Sequence, residues 1–253
     1  MKIALIFAMR AEAQPLIDYY GLKEQEGFFS PLPCKAYQKP TPNQLPSSPL
    51  VSRGAETLKG GELGDLWIVL NGVDHNRDLI GCEAAAVTTQ AAIQKLQPDL
   101  VISCGTCGGW QRYGARVGQA YIADGVMFHD RRVPGDNEWD TQGLGNYKVW
   151  EGSWQVAEAL ALPMGKVTTG SSFDLSPEED ALIDANGGRL KEMEGAAVAF
   201  VCSLYNVPVM LVKAVTNLRD AESEDISDFH ENLKKACLSL TETIKKIITT
   251  LSS

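Results

Sequence analysis

The chain is 253 residues long, 44% hydrophobic and 22% charged, enough for one substantial core in a globular domain. Its formal net charge of -9 argues against nonspecific nucleic-acid binding, which depends on Lys and Arg neutralising phosphates, while an uncharged nucleoside stays open as a ligand. No apolar run approaches the roughly 20 residues that cross a bilayer, so no membrane partner is expected.

In chain order, the opening MKIALIFAMRAEA is closed by Arg10 and Glu12 and lacks a small-residue cleavage pattern. It predicts a buried strand over Ile3–Ala8 leading into a helix over Ala11–Tyr20. Pro31, Pro33, Pro40, Pro42, Pro46 and Pro49 hold half of the chain's 12 prolines. Because Pro donates nothing to a ladder, residues 31–64 are expected to form a surface excursion or edge hairpin within a single domain spanning 1–253. Further strands are predicted over Leu66–Leu70, Leu100–Cys104, Ala120–Val126, Gly165–Thr169 and Val207–Val212. Helices are predicted over Glu83–Leu96, stopped by Gln97-Pro98, over Lys191–Tyr205, and from about Ile226 to Leu251. This alternation implies an α/β fold with a mostly parallel or mixed sheet. Six cysteines lie mostly in apolar or small-residue surroundings, which fits a reducing, cytoplasmic setting.

Four segments carry chemistry-bearing residues. Gly105-Thr106-Cys107-Gly108-Gly109 follows a strand, where glycines let backbone approach a ligand, but it lacks the spacing and Lys of a phosphate loop. On its own it marks either a ligand or a tight turn. Cys104 and Cys107 form C-x-x-C, yet neither a helix N-terminus nor a second ligand pair accompanies them, so no metal is expected. Glu192-Met193-Glu194-Gly195 opens an Ala-rich helix, where acids also simply complement the helix dipole. Lys213 to Leu218 follows the strand VPVMLV, and there Thr216 or Asn217 would equally serve as a helix N-cap. Glu12 also follows a strand. α/β sheets bind ligands beyond their strand C-termini, so the four segments converge on one site using carboxylate chemistry on a compact ligand.

The segments IALIFAMRAEA, PDLVISCGTCGG, VGQAYIADGVMFHD, TGSSFD, KEMEGAAVAFV and VPVMLVKAVTNL run in order along nearly the whole chain. Together they resemble the methylthioadenosine/S-adenosylhomocysteine nucleosidases of the nucleoside phosphorylase superfamily. Lys213, GTCGG and the HDRR segment at 129–132 are similar to the plant-type branch. The resemblance implies a three-layer αβα sandwich with a mixed central sheet and a homodimer. It also implies irreversible hydrolysis of an adenosine N-glycosidic bond, with no phosphate, metal or cofactor. By the same resemblance Glu12 is the base on the attacking water. Glu194 binds the ribose hydroxyls and stabilises positive charge developing in the sugar. Thr106 and Lys213 position Glu12, the water or the carboxylates. Met9 and Met193 line the ribose, with Gly108, Glu192 and Thr216 as further binding residues. Phe173 stacks on adenine, the backbone of Asp174 meets the purine edge, and Phe229 lies near the 5′-alkylthio group.

Two positions depart from the family pattern. Asn217 stands where the family carries the Asp that protonates the purine at N7, and an amide has no titratable proton to give. Ser171 stands where Asp is usual, while Asp220 matches an acid with a structural job. Three accounts follow: a nucleosidase altered at Asn217, a slow natural enzyme or one acting on a related nucleoside such as an aminofutalosine, and a non-catalytic adenine- or nucleoside-binding relative. A phosphorylase is disfavoured because Glu12 would repel phosphate. His129, beside Asp130 and two arginines, is expected in a subunit contact or loop network.

Overall fold

The short apolar runs become strands buried on both faces, and the computed structural model describes them within residues 1–40, 65–131, 133, 137–221 and 226–252. In chain order the elements are β1 (Ile3–Phe7), α1 (Arg10–Tyr20), β2 (Lys23–Glu24), β3 (Lys35–Gln38), β4 (Leu66–Leu70), β5 (Val73–Asp74) and β6 (Arg77–Asp78). Then come α2 (Cys82–Leu96), β7 (Leu100–Gly109), β8 (Ala120–Phe128), α3 (Asn137–Leu144), α4 (Gly152–Ala159), β9 (Met164–Thr169) and α5 (Pro177–Ala185). β10 (Gly188–Glu192), α6 (Gly195–Tyr205), β11 (Val209–Leu218) and α7 (Ile226–Leu251) complete the series.

Nine strands form one mixed sheet in the order β10-β9-β8-β11-β7-β1-β4-β3-β2. β1 lies parallel to β4 and β7, and β11 is parallel to β7 but antiparallel to β8. Both faces are covered, which is why β1 and β4 are unbroken apolar runs instead of alternating ones. Leu5 and Phe7 face a layer containing α1, α4 and α7, where Leu16, Val156, Leu240 and Ile244 pack. Ala4 and Ile6 face the opposite layer of α2 and α6, with Ala92, Ile93 and Val198. This is the expected αβα sandwich with a mixed sheet.

β7 has a second partner. Its last residues pair antiparallel with β10, Gly108 opposite Lys191, so β7-β11-β8-β9-β10 close into a ring of strands within the larger sheet. That closure explains three differences from the sequence expectations. Gly105–Gly109 continues β7 as strand, and Lys213–Leu218 continues β11, so Thr216 and Asn217 are strand residues and cap no helix. Lys191 and Glu192 belong to β10, and the helix predicted from Lys191 begins only at Gly195, because the ring supplies pairing partners that local propensity does not show. Within the proline-rich stretch, Lys35–Gln38 is the sheet strand β3 with Ala36 and Tyr37 buried, while Pro42, Pro46 and Pro49 lie outside the described residues. Cys104 and Cys107 point to opposite layers, and burial pushes both thiols well above the usual range, so the C-x-x-C is two separate packing residues. No helix among the described residues is long and apolar enough to cross a membrane.

Candidate active site

The ring opens at its C-terminal rim onto a cavity of about 260 Å³ lined by residues from every predicted segment. The wall contains Met9, Glu12, Thr106, Gly108, Phe173, Glu192, Met193, Glu194, Thr216 and Asn217. Lys213 lies behind it. Asp174 is exposed and not part of the wall, and the side chain of Phe229, within α7, lies outside the described residues. Ile80, Lys191 and Arg219 also line the cavity and were not among the predicted residues.

Glu12 sits in the first turn of α1, immediately after β1, and is only 2% exposed. The Thr106 backbone N–H and hydroxyl donate to its Oε1 at 2.7 and 2.8 Å, and the Met9 N–H donates to Oε2 at 3.3 Å. Burial nevertheless pushes its carboxyl above the ordinary range, against the pull of Thr106 and Lys213. The opposing strand must leave room: a Cβ at Gly105 would meet Glu12 Oε1 at 3.3 Å and Lys213 Nζ at 3.5 Å. The carboxyl is therefore held in position and is more basic than a surface Glu.

Lys213 pairs with Gly105 in the β7–β11 register and is buried under three carboxylates. Its Nζ lies 2.8 Å from Glu192 Oε2 and donates to Ser103 Oγ at 3.4 Å. Burial alone would lower the Lys213 pKa, but Glu192, Glu194 and Glu12 outweigh it and hold the ammonium charged. Glu192 is saturated. It accepts from the Gly195 N–H at 3.0 and 2.8 Å, the Glu194 N–H at 3.1 Å and the Thr169 hydroxyl, as an acid at the start of α6 should. Burial opposes its charge, yet Lys213 and these donors hold its pKa below the usual value.

Glu194, at the N-cap position of α6, behaves differently. Among the described residues only the Gly81 N–H donates to its Oε1, at 2.8 Å, and burial together with the Glu192 charge raises its pKa to about 7. Two carboxylates two positions apart in sequence are thus pushed apart in proton affinity by their surroundings.

The remaining wall is the aromatic end. Phe173 is 61% exposed at the cavity mouth, with the Arg219 guanidinium 5.7 Å from its ring centre. Lys191 is buried beneath and ties the loop down by donating to the carbonyls of Ser172 and, at 3.5 Å, Phe173. Opposite lies Asn217, 4% exposed, whose Oδ1 accepts from the Thr216 hydroxyl at 3.0 Å. A register shift between Val215 and Asn217 makes Thr216 the extra residue of a bulge, which turns Asn217 toward Gly108 and the cavity.

The phosphorylase superfamily model matches residues 2–249. The 5′-methylthioadenosine nucleosidase of Arabidopsis thaliana is 35% identical over 251 residues, covering 98% of this chain and 86% of that protein. This chain belongs to the methylthioadenosine/S-adenosylhomocysteine nucleosidase family. A second Arabidopsis protein, a 5′-methylthioadenosine/S-adenosylhomocysteine nucleosidase, is 34% identical over 99% of the chain and 91% of its own length. The apo structure of Arabidopsis 5′-methylthioadenosine nucleosidase superposes with a TM-score of 0.85 at 33% identity, over 99% of this chain and 95% of that one.

Two further side chains of this nucleosidase find their place beside the cavity. Asp220 accepts from the Gln111 and Arg112 N–H groups at 2.7 and 2.9 Å, so it caps the turn at 111–113 and does not face the cavity. His129 is buried against Gly170 and therefore offers no exposed subunit contact. Burial and the nearby Lys191 push its pKa down to about 4, leaving a neutral ring that packs the 170–171 loop. Arg219 lies in the turn just past β11, two residues after Asn217, and no motif in the sequence marks it. Nothing near Lys191 in sequence pointed to its loop anchor, which depends on β10 pairing with β7.

Proposed function

We propose that this nucleosidase hydrolyses the N-glycosidic bond of 5′-thio-substituted purine nucleosides, with 5′-methylthioadenosine the family substrate, and that Asn217 slows it on adenosines. The observation that carries the reading is Glu12, a buried carboxylate fixed by two bonds from Thr106, sharing one cavity with Glu194 and Phe173. Glu12 takes the proton of the attacking water, and the burial that raises its pKa makes it a stronger base than a surface Glu. Glu194, as its carboxylate, binds the ribose hydroxyls and offsets the positive charge that grows in the sugar as the bond breaks. Lys213 keeps this group of acids from repelling one another. Met9 and Met193 enclose the sugar, and Phe173 covers the base.

What is missing is an acid for the departing adenine. Asn217 occupies the base end of the cavity and has no proton to transfer. Loss of a general acid costs on the order of a hundred- to ten-thousandfold in rate. Adenine release from 5′-methylthioadenosine is therefore slow in this chain and rises by that order in Asn217→Asp. An Asp variant no faster than the parent refutes the assignment. Phosphate should leave both rates unchanged.

We place the enzyme as a cytoplasmic homodimer. Val87 on α2 and Phe200, Leu204 and Tyr205 on α6 are all exposed, Leu204 by 63%, and α2 and α6 pack side by side as one layer. Six free cysteines suit a reducing compartment.

A further inference from the structure

We infer that the base end of this cavity is built for a 6-oxopurine, so that the preferred substrates are 5′-substituted inosine- or guanosine-type nucleosides in place of adenosines. The inference rests on the nucleosidase reading above and names the base that reading leaves open. It starts from Arg219. The Arg219 backbone N–H donates to Gly109 O at 2.8 Å, which fixes the residue at the end of β11, while its Nε is buried with no hydrogen-bond partner among the described residues. A Cβ on Gly108 would lie 2.6 Å from Arg219 Cδ, 3.0 Å from Arg219 Cγ and 3.4 Å from Asn217 Oδ1. Both side chains therefore share the glycine patch on the cavity wall, and the guanidinium faces the Phe173 ring.

A base that stacks on Phe173 displaces the guanidinium from the ring face toward the base rim, where the Asn217 amide also lies. The guanidinium is donor-only, and the amide adds N–H donors but no acidic proton. The imidazole-side edge of a 6-oxopurine presents two acceptors, N7 and O6, whereas adenine presents the N7 acceptor and the N6 amino donor. Donors from Asn217 and Arg219 match the first edge and oppose N6–H with N–H on the second. A carboxylic acid at 217 would match adenine instead, donating to N7 and accepting from N6. The pair of residues, not the lost Asp alone, sets the preference.

The chemistry also closes without a general acid. As the C1′–N9 bond breaks, its electron pair passes to the purine, where it spreads over the imidazole ring and O6. The Arg219 cation and Asn217 N–H groups stabilise that charge. Water adds to C1′, its proton goes to Glu12, and the purine anion takes a proton from solvent after release. Adenine has no carbonyl on which to place this charge, so the same site serves it poorly.

The test compares kcat/KM for 5′-methylthioinosine and 5′-methylthioadenosine, with calorimetric titration of hypoxanthine and adenine. The inosine analogue is expected to be faster, and hypoxanthine tighter, by about ten- to a hundredfold, the size of one mispaired buried hydrogen bond. Asn217→Asp should reverse the preference, and Arg219→Met should shrink it by lowering the rate on the inosine analogue several-fold more than the rate on the adenosine. Faster cleavage of 5′-methylthioadenosine by the parent chain, or an equal loss on both substrates in Arg219→Met, overturns the proposal and leaves the nucleosidase reading standing. If neither nucleoside is cleaved but hypoxanthine binds more tightly than adenine, the base assignment survives and the hydrolytic reading fails.

Discussion

Replacing Glu194 by Gln separates what the site needs for chemistry from what the fold needs for stability. A carboxyl whose pKa is higher in the native than in the unfolded chain binds its proton more tightly when folded, so stability is lost as pH rises between the two values. For Glu194 the interval runs from 4.5 to about 7. At about 1.4 kcal/mol per pH unit, the full difference sets an upper bound of a few kcal/mol of destabilisation above pH 7. Gln removes the titration but keeps an oxygen for the Gly81 N–H, whose bond to Oε1 is 2.8 Å long. Urea unfolding of both proteins at pH 5 and pH 8 measures the effect. Glu194→Gln should lie within about 1 kcal/mol of the parent at pH 5, exceed it at pH 8 by up to the bound, and lose nearly all nucleosidase activity. A gain of the same size at both pH values would show that packing, not burial of charge, governs this position.

Lys213→Met should destabilise by about 3 to 5 kcal/mol, because it leaves Glu192 charged and buried without its cation; thermal unfolding measures it, and a loss below about 1 kcal/mol refutes the coupling. Phe173→Ala should raise KM for any purine nucleoside about ten- to a hundredfold with a smaller change in kcat, the scale of one stacked base, and equal losses in both parameters contradict a stacking role. Leu204→Glu places a charge on the exposed apolar face of α6 and should convert a dimer to monomer in sedimentation velocity; an unchanged sedimentation coefficient removes that face as the interface.

Much of this architecture was legible in the sequence because its central strands are buried on both faces. Runs such as LWIVL and IALIF have only one plausible fate, and Leu66–Leu70 matches its expected bounds. The misreadings share a cause. KEMEG reads as the start of a helix because the Ala-rich segment after it is one, yet Lys191 and Glu192 are strand residues held by β7 and β9. Thr216 and Asn217 satisfy N-cap preferences, yet both lie within β11, Thr216 at the bulge and Asn217 opposite Gly108. Pairings between residues far apart in sequence leave no local periodicity. The site was legible residue by residue where motifs carried it, as with Glu12, Glu194 and Asn217. It was silent where only proximity matters, as with Lys191, whose anchoring of Phe173 needs the folded ring.

That ring has a mechanical consequence. Five strands that return on themselves have no end from which to fray, so the amides of Gly105 to Gly109 open only when the circuit as a whole comes apart. They should rank among the slowest-exchanging hydrogens in the protein, close to the global unfolding limit. The polar groups beneath the ligand are then set before any ligand arrives. Adjustment to an incoming nucleoside falls to the rim, where Phe173 stands exposed on a loop tethered by Lys191. Any give on nucleoside entry and release is therefore expected at that rim, above the closed ring.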